Sequence, residues 1–453
     1  MQNLDASDVI VIGAGGCGLM AALVAAKKGA HVLLLEKTDK PGGGTAFSSK
    51  GIRAAGSRRQ REANIDDSAD LYAQDILLRN NNESDAVLTR QLTETSGRVA
   101  DFLADETGIQ FELGEFAFGH SAKRSHSWKA DKTVTDFLYE AVKREPNIRV
   151  CFSTAVLSLQ QDSSGAVTGV VTQDGAFTAG KVILASGGFG ASSELLSQYI
   201  PKAVDIPFPG HHGSTGDGIK MGVAAGAATE HMAAFQPYPA YIGPGKRAVA
   251  PEVALSGGIM VALDGMRFVD ETQYPGGLGT KMLDLPGKQA YEIFDERIYR
   301  LHSTIPGQRS LAGLFDAGLL HKAETVEELA KTLGIDAGGL KHTIQEYNNA
   351  AGGKDAFGRT LPEPLRAPFY GIKVAVALYH TQGGLKVNPR AQVMRPDGSI
   401  IANLYAGGGA AAGVSGKGLE GYLPGNGLLM SLGLGMRAAE HAVASAKQAK
   451  AQA

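Results

Sequence analysis

Six residues near the start of the chain, Gly13-Ala14-Gly15-Gly16-Cys17-Gly18, and one acid, Glu36, have the types and spacing to hold a dinucleotide. In a Gly-x-Gly-x-x-Gly turn the first glycine permits a tight bend. The second lets backbone approach a pyrophosphate at a helix N-terminus, and the third lets helix and strand pack closely. Glu36, 18 residues after the third glycine, is placed to hydrogen-bond an adenosine ribose and repel a 2′-phosphate. The motif carries weight only between a strand and a helix, and the flanks supply both. Asp8 to Gly13 is an apolar run that stops at glycine, Cys17 to about Lys28 reads as a helix, and His31 to Glu36 as a second strand, a parallel βαβ opening. His211 and His212 are not read as metal ligands, because adjacent side chains point apart and no carboxylate is spaced to join them. No metal site is expected.

The elements that must position these residues belong to a chain of 453 residues, long enough for two or more modules. Its 44 Lys and Arg against 46 Asp and Glu leave a net charge of −2, which argues against a nucleic-acid binder or a polybasic membrane anchor and favours small-molecule partners. Sixty glycines are about twice the usual share, yet 43% hydrophobic residues exclude a disordered or collagen-like chain, so the glycines must be placed. Cys17 and Cys151 are too few for an iron–sulfur cluster, a zinc ribbon or a disulfide framework. No export signal opens the sequence and no run of about 18 apolar residues appears, so a reducing cytoplasm and no membrane span are expected.

Residues 64 to 108 carry two helical patterns, the first entered through Asp66, Asp67 and Ser68. Residues 149 to 186 shift to short β-branched runs broken by turns, a meander ending in Lys181 to Ala185. Pro, Gly and Tyr rise after about Phe235, and helix patterns return near 324 to 350, where Thr325-x-x-Glu328 fits a capping box. Residues 236–364 therefore read as an inserted domain. Strands follow from Gly384 to Tyr405, and a long helix from Asn426, opened by Gly425-Asn426-Gly427.

The run from Lys37 through Gly43, Gly44, Thr45, Ser49 and Gly51 to Gly56 continues straight from the ribose acid. Here the chain resembles the FAD enzymes of the fumarate reductase, succinate dehydrogenase and 3-ketosteroid dehydrogenase superfamily, over nearly its whole length. Ala185-Ser186-Gly187-Gly188 is similar to the family's Ala-Thr-Gly-Gly strand end. Thr215-Gly216-Asp217-Gly218 resembles its Thr-Gly-Asp-Gly segment, and Leu404-Tyr405-Ala406-Gly407-Gly408 its final strand. The resemblance implies an α/β fold: a Rossmann-like FAD-binding domain with a β-meander, residues 1–235 and 365–453, and an inserted α+β capping domain, 236–364. It implies noncovalent FAD held by Gly13, Gly15, Gly18, Glu36, Lys37, Gly43, Gly44, Thr45, Ser49, Gly51, Ala155, Ser186, Gly187, Gly188, Thr215, Asp217, Gly408, Gly425 and Asn426. No second Gly-x-Gly-x-x-Gly follows a strand, so an external electron donor or acceptor is expected.

Motif by motif, the dicarboxylate clamps of such enzymes are replaced. Tyr238 in Gln236-Pro237-Tyr238-Pro239 stands where a His is usual, Tyr274 stands at or beside the proton-donating Arg, and Tyr422 stands where a clamping Arg is usual. His380-Thr381-Gln382-Gly383-Gly384 retains its histidine. Losing guanidiniums removes bidentate donors, and tyrosines in these blocks resemble 3-ketosteroid dehydrogenases. Tyr274, Tyr422, His380 and Tyr238 are thus the expected catalytic residues, with Arg53, Arg124 and His126 expected to bind substrate. The reaction implied is α,β-dehydrogenation next to a carbonyl, with hydride passing to flavin N5. A di- or tricarboxylate enzyme, with Arg53, Arg124, Lys246 or Arg247 as replacement clamps, and an FAD-binding electron-relay subunit are the alternatives.

Overall fold

The computed structural model describes residues 6–48, 50–115, 118–243, 247–273, 276–304 and 310–452. Tyr274, Ser49 and Lys246 lie outside them. The chain divides into two compact units, one of residues 1–204, 210–235 and 380–453, the other of 205–209 and 236–379.

In the first unit β1 (Ala6–Ile12) leads into α1 (Gly16–Lys27) and β2 (Val32–Leu35). β1 pairs in parallel with β2 and with the strand Gly175–Leu184, which pairs in parallel with Ile400–Ala406. Ile148–Cys151 extends the other edge beside β2. Val9, Ile10 and Val11 are fully buried, as continuous apolar runs are when helices cover both faces of a parallel sheet. Val156–Gln161 and Val167–Thr172 form the antiparallel meander that ends in Gly175–Leu184. α1 is buried from Gly16 to Ala26 because its small side chains let the C-terminal helix, Leu434–Gln452, approach closely. Ser68 caps the helix Ala69–Arg79 by accepting from Leu71 N, as its type and place predict.

The second unit is built on antiparallel strands. Gln289–Asp295 pairs along Phe369–Ala375 and with Ile259–Val261, and Leu320–Ala323 pairs on the other side of Phe369–Thr381. Thr325 caps the helix Val326–Leu333, and Asp336 caps Ala337–Ala350. The chain returns to the first unit at His380, not at 365, and the reason is this long strand: its register from Asp295↔Phe369 to Gln289↔Ala375 ties residues 369–375 to the second unit's sheet. Asp205–Pro209 joins the same unit, where Pro207 O accepts from Leu378 N. Among the described residues no helix is long and apolar enough to cross a membrane.

Candidate active site

The segments that follow β1, β2 and Gly175–Leu184 meet at the carboxyl ends of the parallel strands, where open α/β sheets bind dinucleotides. Gly15 caps α1 with no side-chain hydrogen bond and no acid follows in the first turn, leaving amides open to an anion. Gly13 adopts φ +106°, and a Cβ on Gly18 would collide with Gly13 O, so both positions require glycine. The Glu36 carboxylate is fixed by Ala14 N at 2.7 Å and Thr38 N at 2.8 Å. Thr154 N donates to Glu36 O, which brings Ala155 to the same end of β2.

A Cβ on Gly43 would lie 3.2 Å from Gly15 Cα, whereas the space beside Gly44 is open. The Thr45 hydroxyl lies 3.4 Å from that of Ser431, in a π-helical turn, Leu429–Gly433, of the last helix. Lys37 Nζ donates to Thr215 Oγ1 at 2.6 Å and to Asp217 at 2.7 Å, and Ser186 Oγ accepts from Gly218 N. Gly187 adopts φ +78°, Thr381 fills the space beside Gly188, and Gly408 lies against Cys17. Gly51 stands in β3 (Gly51–Arg53), paired with Ser125–Ser127. These residues fit FAD. Both amide atoms of Gln382 and Oδ1 of Asn426 are buried without a hydrogen-bond partner among the described residues, and such groups call for one.

Beside this cradle lies a polar cluster. Gly425, at φ +109°, begins the helical segment Asn426–Leu428 with no side-chain cap. The amides of Gly427 and Gly425 face the Tyr422 hydroxyl; burial pushes its pKa up, while these amides and Arg53 pull the other way. The His380 ring meets Tyr422 edge-on, with centroids 5.1 Å apart, and burial pushes it down to about 4, so it is neutral at physiological pH. The stem of Arg53 packs where a Gly425 side chain would stand, and its Nε is buried without a partner among the described residues. Burial lowers its pKa against the opposing pull of Tyr72 and Tyr422. Tyr72, fully buried, likewise has a hydroxyl without a partner among the described residues, 3.7 Å from the Cβ position of Gly425.

Arg124 and His126, expected at the substrate, spend their polar atoms inside the fold. Arg124 is fully buried, donates to Asp67 at 2.7 and 2.9 Å and to Asp75, and lies 4.6 Å over the Tyr72 ring. Asp67, read as part of a helix start, is its counter-ion. His126 Nδ1 lies 2.9 Å from Arg124 O and its Nε2 2.7 Å from Ser57 Oγ. Tyr238 lies in the second unit, buried, its ring stacked on Tyr379 at 4.0 Å. Arg267 and Glu271, in the block before Tyr274, belong to a buried ion-pair network with Arg359 and Asp355. The rings of His211 and His212 stack at 4.7 Å instead of pointing apart. Tyr72, His120 and Gln382 escaped the sequence reading. Tyr72 sits at an apolar position of an amphipathic helix and reads as core, and only the four-residue spacing of His120 from Arg124 hinted at a pair.

The family described as FAD binding domain matches residues 8–428. A probable fumarate reductase, Ifc3 of Shewanella frigidimarina, is 30% identical over 426 residues, 91% of this chain and 71% of that protein. The open conformation of a flavocytochrome c3 fumarate reductase is similar with a TM-score of 0.83 and 29% identity over 98% of this chain and 79% of that one. The 3-ketosteroid-Δ4-(5α)-dehydrogenase of Rhodococcus jostii RHA1, in complex with 4-androstene-3,17-dione, is similar with a TM-score of 0.80 and 26% identity over 97% of both chains. With the glycine cradle, the fixed Glu36 and the orphaned amides already pointing to a dinucleotide, these likenesses place the chain in the FAD-binding family of fumarate reductase-type flavoproteins, as an FAD-dependent oxidoreductase acting on carbon–carbon bonds.

Proposed function

We propose that the chain exchanges a hydride and a proton across a C–C bond next to a carbonyl, as an α,β-dehydrogenase of a ketone-type substrate. FAD, when bound, supplies the two-electron hydride acceptor. The observation that carries this reading is the Tyr422 hydroxyl set beside the Gly425 and Gly427 amides. An unactivated Cα–H is far too weak an acid, but donors aimed at the ketone oxygen favour an enolate-like transition state. Burial keeps Tyr422 protonated at neutral pH, so it donates to that oxygen. His380, neutral and edge-on to Tyr422, can hold or relay a proton. Tyr274, from its place in the motif, is the proposed base, and Tyr238, from its place in the Gln236-Pro237-Tyr238-Pro239 block, is a further proposed catalytic residue. With this reading go a reducing, cytoplasmic setting and an external electron acceptor, the latter because one Gly-x-Gly-x-x-Gly block follows a strand.

A second reading, a carboxylate substrate, is favoured by Arg53, whose guanidinium has no carboxylate partner among the described residues. Anaerobic titration separates the two: a cyclic ketone bleaches the flavin absorbance under the first, a tricarboxylate under the second. Tyr422→Phe should slow bleaching by the ketone about 100-fold while FAD stays bound. Unchanged bleaching in both Tyr422→Phe and Tyr274→Phe would sink the tyrosine mechanism.

A further inference from the structure

Tyr422 stands on an irregular loop, Val414 to Asn426, whose backbone is held by a turn of another element. The helix Ala69–Arg79 ends at Asn80, which is buried with every polar side-chain atom engaged. Its Nδ2 donates to Val414 O at 2.9 Å and to Ser84 Oγ at 2.8 Å, and its Oδ1 accepts from Glu83 N at 3.0 Å. Glu83, fixed in this way, accepts at Oε2 from Lys417 N at 3.1 Å and from Gly418 N at 3.2 Å. A carboxylate that accepts from backbone amides makes a strong, charge-assisted bond. The Lys417 ammonium, mostly exposed and 3.8 Å from Oε1, adds little to it. The loop lies directly on the turn: Gly416 adopts φ +76° with its Cβ position 2.9 Å from Glu83 Cβ, and that of Gly421 is 2.7 Å from Asn80 Cβ. Its other end is held too, since Asn426 Nδ2 donates to Ser415 Oγ at 3.1 Å and His120 Nε2 to Pro424 O at 2.8 Å. Between Asn80 and Glu83, Asn81 and Asn82 both take left-handed backbone, at φ +54° and +58°. Two successive side chains disfavour that conformation, which persists where the surroundings impose it, and it turns Glu83 back onto the loop.

We propose that Glu83, set by Asn80, is a positioning residue for the reaction, fixing the loop so that the Tyr422 hydroxyl stands beside the Gly425 and Gly427 amides. It acts through the loop backbone and not on substrate. The assignment rests on the reading of Tyr422 as donor to the ketone oxygen, because a donor must be held close to its productive place to stabilise developing charge.

Fluorine NMR on the FAD-loaded enzyme labelled with fluorotyrosine tests the positioning directly. The Tyr422 resonance, identified by its loss in Tyr422→Phe, should move or broaden in Glu83→Ala. It should return to the parent position in Glu83→Gln, whose side-chain oxygen still accepts from both amides. Glu83→Ala should also slow bleaching by the ketone about tenfold, yet slow it no further when added to Tyr422→Phe. Flavin absorbance and melting temperature report that each variant is loaded and folded. Should Glu83→Ala fail to fold, Glu83→Asp, which draws the carboxylate back by one methylene, carries the same expectations. An unmoved Tyr422 resonance, a displaced one that Glu83→Gln does not restore, or equal slowing with and without the Tyr422 hydroxyl overturns the proposal. If no ketone bleaches the flavin, the ketone reading fails and the resonance alone decides on Glu83. If the ketone bleaches and the resonance stays in place, the ketone reading stands and the positioning role falls.

Discussion

Arg124 and Arg53 show how little residue type says about role. Arg124 stands in a basic, polar stretch, Lys-Arg-Ser-His-Ser-Trp, that reads as a substrate loop, yet its donors are satisfied by two carboxylates inside the fold. Removing the cation these two buried carboxylates share leaves both uncompensated. Arg124→Met should therefore lower stability by about 3 kcal/mol or more, seen as a lower midpoint in urea denaturation, while Arg53→Met should leave the midpoint of the ligand-free protein unchanged or raised. Tyr422 and His380 were legible as residues because each stands inside a recognisable glycine block. Tyr72 was not, because its place on an apolar helix face says only that it is buried, and its unpartnered hydroxyl exists only in three dimensions.

Strand β1, helix α1 and β2 were the most legible elements, because the demands of a strand–glycine–helix turn are local. Gly18 separates the two kinds of glycine in this region. Gly18→Ala places a methyl group against Gly13 O, which should destabilise the protein by about 3 kcal/mol and reduce the FAD retained after gel filtration. Gly44→Ala meets no atom of the described residues within 4 Å, so it should leave the melting temperature of the FAD-free protein unchanged and reduce only FAD affinity. The return of the chain at 380 was much less legible. Phe369–Thr381 carries the alternating pattern of any strand, and its membership in the second unit is decided by pairing with Gln289–Asp295, a partner far away in sequence.

At the scale of the whole molecule, buried titratable groups set opposing pH limits on stability. Burial depresses His120 and His380 to about 4, so the unfolded chain binds more protons than the native one below the ordinary histidine value of 6.5. Their contribution is fully present above 6.5 and is lost as pH falls toward 4. Glu292 has the opposite sign. Burial, then neighbouring Glu271, raise it to about 8 against the pull of Arg359, so its contribution is present below 4.5 and is lost as pH rises through about 8. Thermal unfolding should show greatest stability near pH 6.5, with a fall on the alkaline side that Glu292→Gln flattens. A Glu292→Gln curve that falls as steeply as the parent's between pH 6.5 and 8.5 would show that Glu292 does not set that limit.

By itself the sequence determined the FAD-binding fold and the glycine turn that opens it, because tight turns, close backbone approach and strand periodicity leave marks within a few residues of where they act. Only the tertiary structure decided which charges are spent and which are free. Arg124 finds its carboxylates 57 and 49 residues away, and Arg53, beside the same tyrosine, finds none among the described residues. Charge neutralisation in a low-dielectric interior depends on distance in space and on burial, and neither period, spacing nor composition carries that information.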